Sequence, residues 1–410
     1  MSKSKVITNT FMLYLSSIAR FIFPLITIPY LTRILSEEAY GFFAYVKSCM
    51  SYMQFIVDFG FMYSAVRDIV LEKNNKINIG YIAGNVFLAK LILSAIAAII
   101  IVVMCATISI LQINTLYVAL SLLAIISTAF IPQFLFRGIE QMQYATIAYV
   151  LSKGISTLLT LVFVKGDDTL LWIPILDIIG NCTAALLSFR VIKKLEIPIK
   201  CSGVADSWKM IGESFQYFLS DIASTAFYVL NTILIGIFIK DLTQVAYWSL
   251  SISIVCAIQG LYSPIFNGIY PYMVSKKQIR FIHKVLLICM PIVCAGCLLC
   301  FFSAKTVLFI VGGEKYIAAY HIFRLLIPVL LISFPVQLYG WPTLGAIGKI
   351  IETTKTTIIA AVVQVAGLLI LIVVNKFDLA LLAILRVFTE FIMLVLRLRI
   401  TYKNKALFVN

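Results

Sequence analysis

The stretch 26-ITIPYLTRILSEEAY-40 recurs, shifted by 207 positions, as 233-ILIGIFIKDLTQVAY-247. In each copy an apolar run ends at a basic residue, and a polar turn leads into the next apolar run. Five aligned pairs are identical: Ile26/Ile233, Ile28/Ile235, Leu35/Leu242, Ala39/Ala246 and Tyr40/Tyr247. A basic residue and a polar turn that recur at the same place in two similar stretches are typical of membrane proteins built from two related halves.

The composition indicates that most of the chain lies in lipid. Apolar residues make up 62% of the 410 and charged residues only 12%, whereas a soluble domain is about half apolar and a quarter charged. In a soluble protein the net charge of +15 would point to nucleic acid. Here the basic residues lie between long apolar runs, which is the pattern of membrane topology and argues against a nucleic-acid partner.

A membrane-spanning helix needs about 20 mostly apolar residues. By that rule the sequence predicts an all-α polytopic membrane protein with twelve transmembrane helices. The spans are 9–33, 40–66, 80–106, 113–136, 142–164, 170–190, 213–239, 243–273, 284–304, 318–344, 356–374 and 379–400. Six helices in each half would give both halves the same orientation, related by a parallel pseudo-two-fold axis along the membrane normal. We expect a six-helix lobe over 1–190, a cytoplasmic linker over 191–212 and a second six-helix lobe over 213–410.

The orientation follows from the basic residues between spans. With the N-terminus inside, twenty-one cations fall in cytoplasmic segments, Arg137 and Arg397 among them, and six fall outside. The positive-inside rule therefore predicts that both termini are cytoplasmic.

Ten ionisable residues fall within the predicted spans. A charge there costs at least ~2.5 kcal/mol, so each is expected to face a cavity or a partner. The carboxylates are Asp58, Asp177, Asp221 and Glu390, and the cations are Arg20, Lys47, Lys90, Lys153, Arg324 and Arg386.

Five of these cations are candidates for the lining of a water-filled, positively charged cavity. Arginine presents a planar fork and lysine a mobile point charge, and both suit an anionic head group such as a pyrophosphate. The candidates are Arg20, Lys47, Lys90, Lys153 and Arg324.

Structural pairing is the alternative to a cavity role. Asp177 would neutralise Lys153, and Asp58 would neutralise Lys47, which could also extend to the outer interface. Arg386 and Glu390 lie one helix turn apart, and a local salt bridge is favoured for them.

Arg33 and Lys240 occupy matching positions after the first and seventh spans. They either form a gate on the outer side or complement the dipole of the preceding helix, and the sequence leaves both readings open. Neither a P-loop nor a glycine fingerprint is present, and the cysteines lack zinc-ligand spacing with the two histidines. The sequence thus predicts no cofactor, no metal and no catalytic residue.

Three stretches carry a family resemblance: 24-PLITIPYLTRILSEEAYGFFAYV-46, 58-DFGFMYSAVRDI-69 and 134-FLFRGIEQM-142. They resemble the Wzx-type O-antigen flippases, in the polysaccharide-transporter branch of the multidrug/oligosaccharidyl-lipid/polysaccharide (MOP) exporter superfamily. Ser36 stands where the family often has glycine. The family pattern is moderately specific to the branch and does not identify the sugar.

The resemblance implies a MATE-like fold of two lobes in the bacterial inner membrane, working by alternating access. The implied substrate is an undecaprenyl-pyrophosphate-linked oligosaccharide, and the implied pathway partners are the polymerase and the chain-length regulator. Coupling to an ion gradient would fall to Asp58, Asp177 or Asp221.

Other classes remain open. A multidrug exporter would be expected to bind cations with buried carboxylates, and a lipid II-type flippase is typically longer. The O-antigen polymerase, an enzyme, would be expected to have a large outer loop, whereas the longest loop here is cytoplasmic. A structural scaffold would not explain cations at mid-membrane depth.

Overall fold

The computed structural model describes residues 3–72, 75–225 and 229–409, and within these ranges it leaves out the side chains of 3–10, 13, 220, 221 and 223–225. The described chain is nearly all helical, and its only strand-like contact is an isolated bridge between Gln278 and Val409.

The chain divides into two compact units. The first comprises Met1–Ala39 and Tyr45–Ile222, and the second comprises Tyr40–Ala44 and Ala223–Asn410. The predicted limits of the two lobes, 1–190 and 213–410, and the symmetry between them remain predictions.

The described part of the first unit contains eight complete helices and most of two others. They are α1 (Lys3–Ile34), α2 (Glu37–Asp58), α3 (Phe61–Leu71), α4 (Lys76–Thr107), α5 (Ser109–Gln112), α6 (Thr115–Thr128), α7 (Gln133–Gly138), α8 (Met142–Phe163), α9 (Trp172–Lys194) and α10 (Val204–Thr225). Of these, α2 and α10 each give a few residues to the second unit.

The described part of the second unit contains eight further α-helices. They are α11 (Asn231–Phe238), α12 (Leu242–Gly260), α13 (Ser263–Lys276), α14 (Ile279–Phe302), α15 (Ala304–Gly312), α16 (Tyr320–Leu338), α17 (Ile350–Val373) and α18 (Leu379–Lys403). A π-helical turn over Tyr339–Leu344 follows α16.

Ten helical segments within the described ranges are long and apolar enough to cross a membrane, so this is a multi-pass membrane protein. They coincide with ten of the twelve predicted spans. The other two, 40–66 and 213–239, fall on the pairs α2–α3 and α10–α11. The count of twelve stays a prediction.

The break between α2 and α3 has a local cause. Phe59 (φ 40°) and Gly60 (φ 76°) both adopt left-handed backbone, which ends α2 and redirects the chain into α3. A side chain at Gly60 would place its Cβ 2.5 Å from the Cβ of Tyr217, so glycine also permits the close approach of α10. Phe59 and Phe218 stack there with ring centroids 4.2 Å apart. The start of the seventh predicted span therefore packs within the first unit.

The segment between α9 and α10 packs tightly along α4. The backbone oxygen of Pro198 lies where a Cβ at Gly80 would be, and Gly84 makes similar room for Lys200. The Ser202 amide donates to the Asn85 side chain at 2.8 Å. The predicted linker 191–212 thus includes the end of α9, an extended segment held against α4, and the start of α10.

Candidate functional site

A cavity of about 480 Å³ lies inside the first unit. Its wall is formed by residues of α1, α2, α3, α4, α6, α7, α8 and α9. Its charged lining consists of the cations Arg20, Lys90, Arg137 and Lys153 and the carboxylates Asp58 and Asp177.

One ion pair in the wall joins α2 to α4. Lys90 donates to the Asp58 carboxylate at 2.7 Å, and the Gln54 amide donates to the other oxygen of Asp58 at 2.7 Å. The Lys90 side chain is only 7% exposed, whereas that of Asp58 is 46% exposed. Because an unpaired buried charge is costly, the contact with Asp58 offsets the burial of the Lys90 ammonium group.

A second ion pair joins α8 to α9. Lys153 lies 3.0 Å from the Asp177 carboxylate, which also accepts a hydrogen bond from Ser156 at 2.7 Å. The two helices approach closely because a Cβ at Gly180 would meet the Ser152 backbone oxygen at 2.4 Å. The predicted alternative, in which Asp177 neutralises Lys153, is the arrangement found.

Arg20 is held at the wall by the packing of α1 on α8. Thr146 donates to the Met12 carbonyl at 3.0 Å near one end of α1, and Tyr30 donates to the Val164 carbonyl at 2.6 Å near the other. Between these contacts the Arg20 guanidinium lies over the ring of Tyr149, 4.9 Å from its centroid. This is a cation–π contact, which leaves the edge of the guanidinium able to donate hydrogen bonds.

Arg137 also lines the cavity, which the sequence did not predict. It was assigned to a cytoplasmic loop because it follows the fourth apolar run. In the structure α7 is a short helix after Pro132, and Gly138 permits a close approach to Ile69 of α3, so Arg137 faces the cavity half-buried. The sequence signal that could have located it is the apolar run just before it, Phe134, Leu135 and Phe136, and all three of these residues are buried in the structure.

The four cavity cations therefore differ in their partners. Lys90 and Lys153 each pair with a carboxylate, whereas no ion pair is formed by Arg20 or Arg137 among the residues that the structure describes. With four cations and two carboxylates the lining carries a surplus of positive charge. The polar groups of Gln54, Thr128, Gln133 and Asn181 add hydrogen-bonding capacity.

Lys47 does not belong to this lining. It is exposed on α2, within electrostatic reach of Lys153 and Asp177. The predicted alternative that pairs Lys47 with Asp58 is wrong, because Asp58 contacts Lys90 and Gln54 instead. Positions 47 and 58 are eleven residues apart on one helix, a rise of about 16 Å that side chains cannot bridge.

Four further candidates lie elsewhere. Arg324, in the second unit, donates to the Phe301 carbonyl at 2.9 Å and stacks over the Phe301 ring at 4.8 Å. Arg33 and Lys240 are exposed at or just past the ends of α1 and α11. Asp221 lies on α10, but its side chain is outside the described part of the chain.

Two arginines of α18 are structural. Arg386 and Glu390 form the expected salt bridge at 2.6 Å, with side chains 1% and 4% exposed. Arg397 was assigned to a cytoplasmic segment, and its side of the membrane stays a prediction. Its side chain is buried, and its guanidinium donates to the Val336 carbonyl at 2.6 Å and to the hydroxyls of Thr356 and Thr357.

No group of histidine, cysteine, aspartate and glutamate side chains within the described ranges is arranged to hold a metal ion. The cavity instead has the chemistry of an anion-binding site, with guanidinium donors, polar side chains and aromatic rings. Fold and site together define a polytopic membrane protein whose helices enclose a basic, polar cavity.

Residues 6–277 match the family described as "Polysaccharide biosynthesis protein", and the chain belongs to that family. It is 25% identical over 300 residues to a protein of Escherichia coli (strain K12) named "Putative O-antigen transporter", covering 72% of this chain and 71% of that one. A protein of the same name from Shigella dysenteriae is 24% identical over 280 residues, 68% of this chain and 69% of that one. The resemblance to Wzx-type flippases is thereby confirmed.

Solved structures show the same fold. The lipid II flippase MurJ, in an inward closed conformation, superposes with a TM-score of 0.74 at 12% identity, covering 97% of this chain and 87% of that one. An inward-facing multidrug resistance MATE transporter of the MOP superfamily superposes with a TM-score of 0.72 at 15% identity, over 94% of both chains. The predicted MATE-like helical fold is confirmed at this level.

Proposed function

We propose that this protein is a flippase that moves undecaprenyl-pyrophosphate-linked O-antigen or polysaccharide repeat units across the bacterial inner membrane. The observation that carries the proposal is the pair of arginines in the cavity, Arg20 and Arg137, that have no carboxylate partner in the described chain. The family match and the O-antigen transporter relatives support the substrate class. Movement by alternating access is part of the proposal.

The charges of the cavity favour a diphosphate head group. Each lysine is neutralised by its aspartate, so the surplus belongs to the two arginines. A diphosphate linked at both ends carries two negative charges, which two guanidinium groups would balance. Guanidinium forks also bind phosphate oxygens in pairs, with stronger hydrogen bonds than neutral donors make. Lys90 and Lys153 hold the wall in place and add donors for sugar hydroxyls or acidic sugars.

The same charges argue against a multidrug exporter. A site for cationic drugs needs carboxylates available to the ligand, but both cavity carboxylates are bonded to lysines. The proposal includes no enzymatic step, which also separates it from the polymerase. Ion coupling through Asp58, Asp177 or Asp221 remains part of the proposal, as do substrate contacts by Lys47 and Arg324 and a gate at Arg33 and Lys240.

Complementation tests the proposal. The variants are expressed in a flippase-deficient strain that carries the glycan operon of this protein. Arg20→Ala and Arg137→Ala should each reduce surface polysaccharide at least tenfold. The reason is that losing one charge-assisted phosphate contact costs about 1.5–3 kcal/mol. Surface polysaccharide is measured on gels of extracted glycolipid, and membrane protein by immunoblot.

Arg190→Ala is the matched control, since it removes one exposed arginine of the first unit outside the cavity. It should leave surface polysaccharide unchanged. Wild-type polysaccharide in both cavity variants, at normal protein levels, would show that the cavity does not bind the head group.

A further inference from the structure

Basic residues gather at one end of the second unit. They come from the turn between α13 and α14, the start of α17 and the end of α18 with the tail. We call this set the cationic collar: Lys276, Lys277, Arg280, Lys284, Lys349, Lys355, Arg399, Lys403 and Lys405. The same segments contain a single carboxylate, Glu352. This is the end that the sequence predicts to face the cytoplasm.

The three segments are held together by the C-terminal tail. Phe408 of the tail is buried in an apolar cluster with Ile282, at the start of α14, and Ala346, just before α17. The Val409 amide donates to the Lys277 carbonyl at 2.9 Å, and the Ile279 amide donates to the Val409 carbonyl at 3.3 Å. The collar is therefore one assembled surface rather than three separate loops.

The collar differs from the corresponding loops of the first unit. There, Lys76 pairs with Glu196 at 3.3 Å, and Arg67 pairs with Asp68 at 2.8 Å. No collar residue forms an ion pair with any residue that the structure describes. The positive-inside rule accounts for the sign of the charge, but not for so many clustered cations with so little compensation.

Apolar and aromatic side chains lie among these charges. Tyr402 is 73% exposed, Leu407 48% and Val409 55%, and the Lys405 ammonium lies 5.0 Å from the centroid of the Tyr402 ring. Exposed aromatic and aliphatic residues mixed with lysine are characteristic of segments at the membrane interface, where the apolar parts enter the head-group region.

We propose that the cationic collar binds the phosphate head groups of anionic phospholipids. Clustered lysines and arginines beside a membrane attract acidic lipids, and the attraction acts within a Debye length of the surface. Tyr402, Leu407 and Val409 place the tail at the depth where those head groups lie. The collar would thereby fix the second unit to the acidic leaflet through the tail.

The test uses the full-length protein in nanodiscs of phosphatidylcholine mixed with phosphatidylglycerol. Both leaflets are accessible there, so the result does not depend on orientation in the cell. The variant Lys276→Gln/Lys277→Gln/Lys403→Gln/Lys405→Gln should retain several-fold less phosphatidylglycerol after detergent extraction, measured by lipid mass spectrometry. High salt should reduce retention by the wild-type protein in the same direction.

The matched control removes four exposed lysines from the first unit: Lys193→Gln/Lys194→Gln/Lys200→Gln/Lys209→Gln. Both variants lose the same net charge, and the control should retain wild-type lipid. Phe408→Ala should release the tail and lower retention without removing a charge, whereas Phe408→Leu should not.

Equal retention by wild type, collar variant and control would overturn the proposal. So would retention that is insensitive to salt. A collar variant that keeps its phosphatidylglycerol but loses surface polysaccharide in cells would overturn it too, and would indicate a protein partner at this surface.

Discussion

Single residues in the cavity differ more in their partners than in their charge. The sequence predicted Arg20, Lys90 and Lys153 as cavity cations from their depth alone, and all three line the cavity. It offered the contact between Lys153 and Asp177 as an alternative, but it did not predict that Lys90 would contact Asp58. Asp58 is separated from Lys90 by 32 residues and Asp177 from Lys153 by 24, so the pairing depends on how helices pack. Periodicity within one helix carries no such information.

The buried Lys90 gives a prediction about stability. Asp58→Asn should lower the free energy of unfolding by about 1–3 kcal/mol, because it leaves a buried ammonium without its counter-charge. The half-exposed Asp58 keeps the loss toward the lower end of that range. Thermal unfolding of the purified protein in detergent measures the change.

Two further variants test whether the loss of stability comes from the ion pair between Lys90 and Asp58. Asp168→Asn removes an exposed carboxylate and should leave the unfolding midpoint unchanged. Lys90→Met added to Asp58→Asn should restore most of the lost stability, since the double variant no longer contains the unpaired ammonium of Lys90. A double variant as unstable as Asp58→Asn alone would mean that the ion pair is not the source of the loss.

At the scale of elements, the apolar runs predicted the helices but not their interruptions. Hydropathy did not reveal the left-handed turn at Phe59 and Gly60, because apolar residues continue after it. The break after α16 is similar. Gly340 leaves helical geometry (φ −74°, ψ −111°), and Pro342 lacks an amide to donate, although 318–344 reads as one span. Such breaks persist where side chains satisfy the freed carbonyls.

Arg397 is one of those side chains. It donates to the Val336 carbonyl one turn before the break, and Thr343 donates to the Leu338 carbonyl at 2.7 Å. A Cβ at Gly340 would lie 2.5 Å from the Nη1 atom of Arg397. The missing side chain of Gly340 therefore provides the space in which the guanidinium reaches α16.

Gly340→Ala should consequently lower the free energy of unfolding by about 1–3 kcal/mol, as overpacking of a filled site does. The unfolding midpoint of the purified protein measures it. Gly296→Ala is the control, because a Cβ at Gly296 in α14 has no neighbour within 4 Å. That variant should be neutral or slightly more stable. Equal midpoints for the two variants would show that Arg397 does not occupy the space beside Gly340.

At the scale of the whole molecule, composition and loop charge predicted the class of fold, and the match to MATE and MurJ structures confirms it. The number of crossings is the part that length and composition leave open. Ten segments meet both criteria, while the α2–α3 and α10–α11 pairs carry charges and breaks. If neither pair crosses the membrane, every loop between the two pairs faces the opposite side of the membrane. Both termini keep the same side, because the number of crossings changes by two. Terminal location alone therefore cannot decide between ten and twelve.

The accessibility of positions near the two ends of each pair distinguishes ten crossings from twelve. In a cysteine-free background, the α2–α3 pair is tested by Glu38→Cys in the first turn of α2 and Lys76→Cys after α3. The α10–α11 pair is tested by Lys209→Cys in the second turn of α10 and Lys240→Cys after α11. If each pair crosses, an impermeant maleimide added to cells with permeable outer membranes should label positions 38 and 240. Positions 76 and 209 should react only after the inner membrane is opened.

Lys165→Cys and Lys193→Cys are the reference positions, because Lys165 precedes the apolar segment that contains α9 and Lys193 lies at its end, and this segment is long enough to span. With twelve crossings, position 165 should label with 38 and 240, and position 193 with 76 and 209. The charges support this outcome, since omitting both pairs would place Arg190, Lys193, Lys194 and Lys200 on the outer side, against the positive-inside rule. Shared labelling of 38 with 76, and of 209 with 240, would instead establish ten crossings and remove the basis for two six-helix lobes.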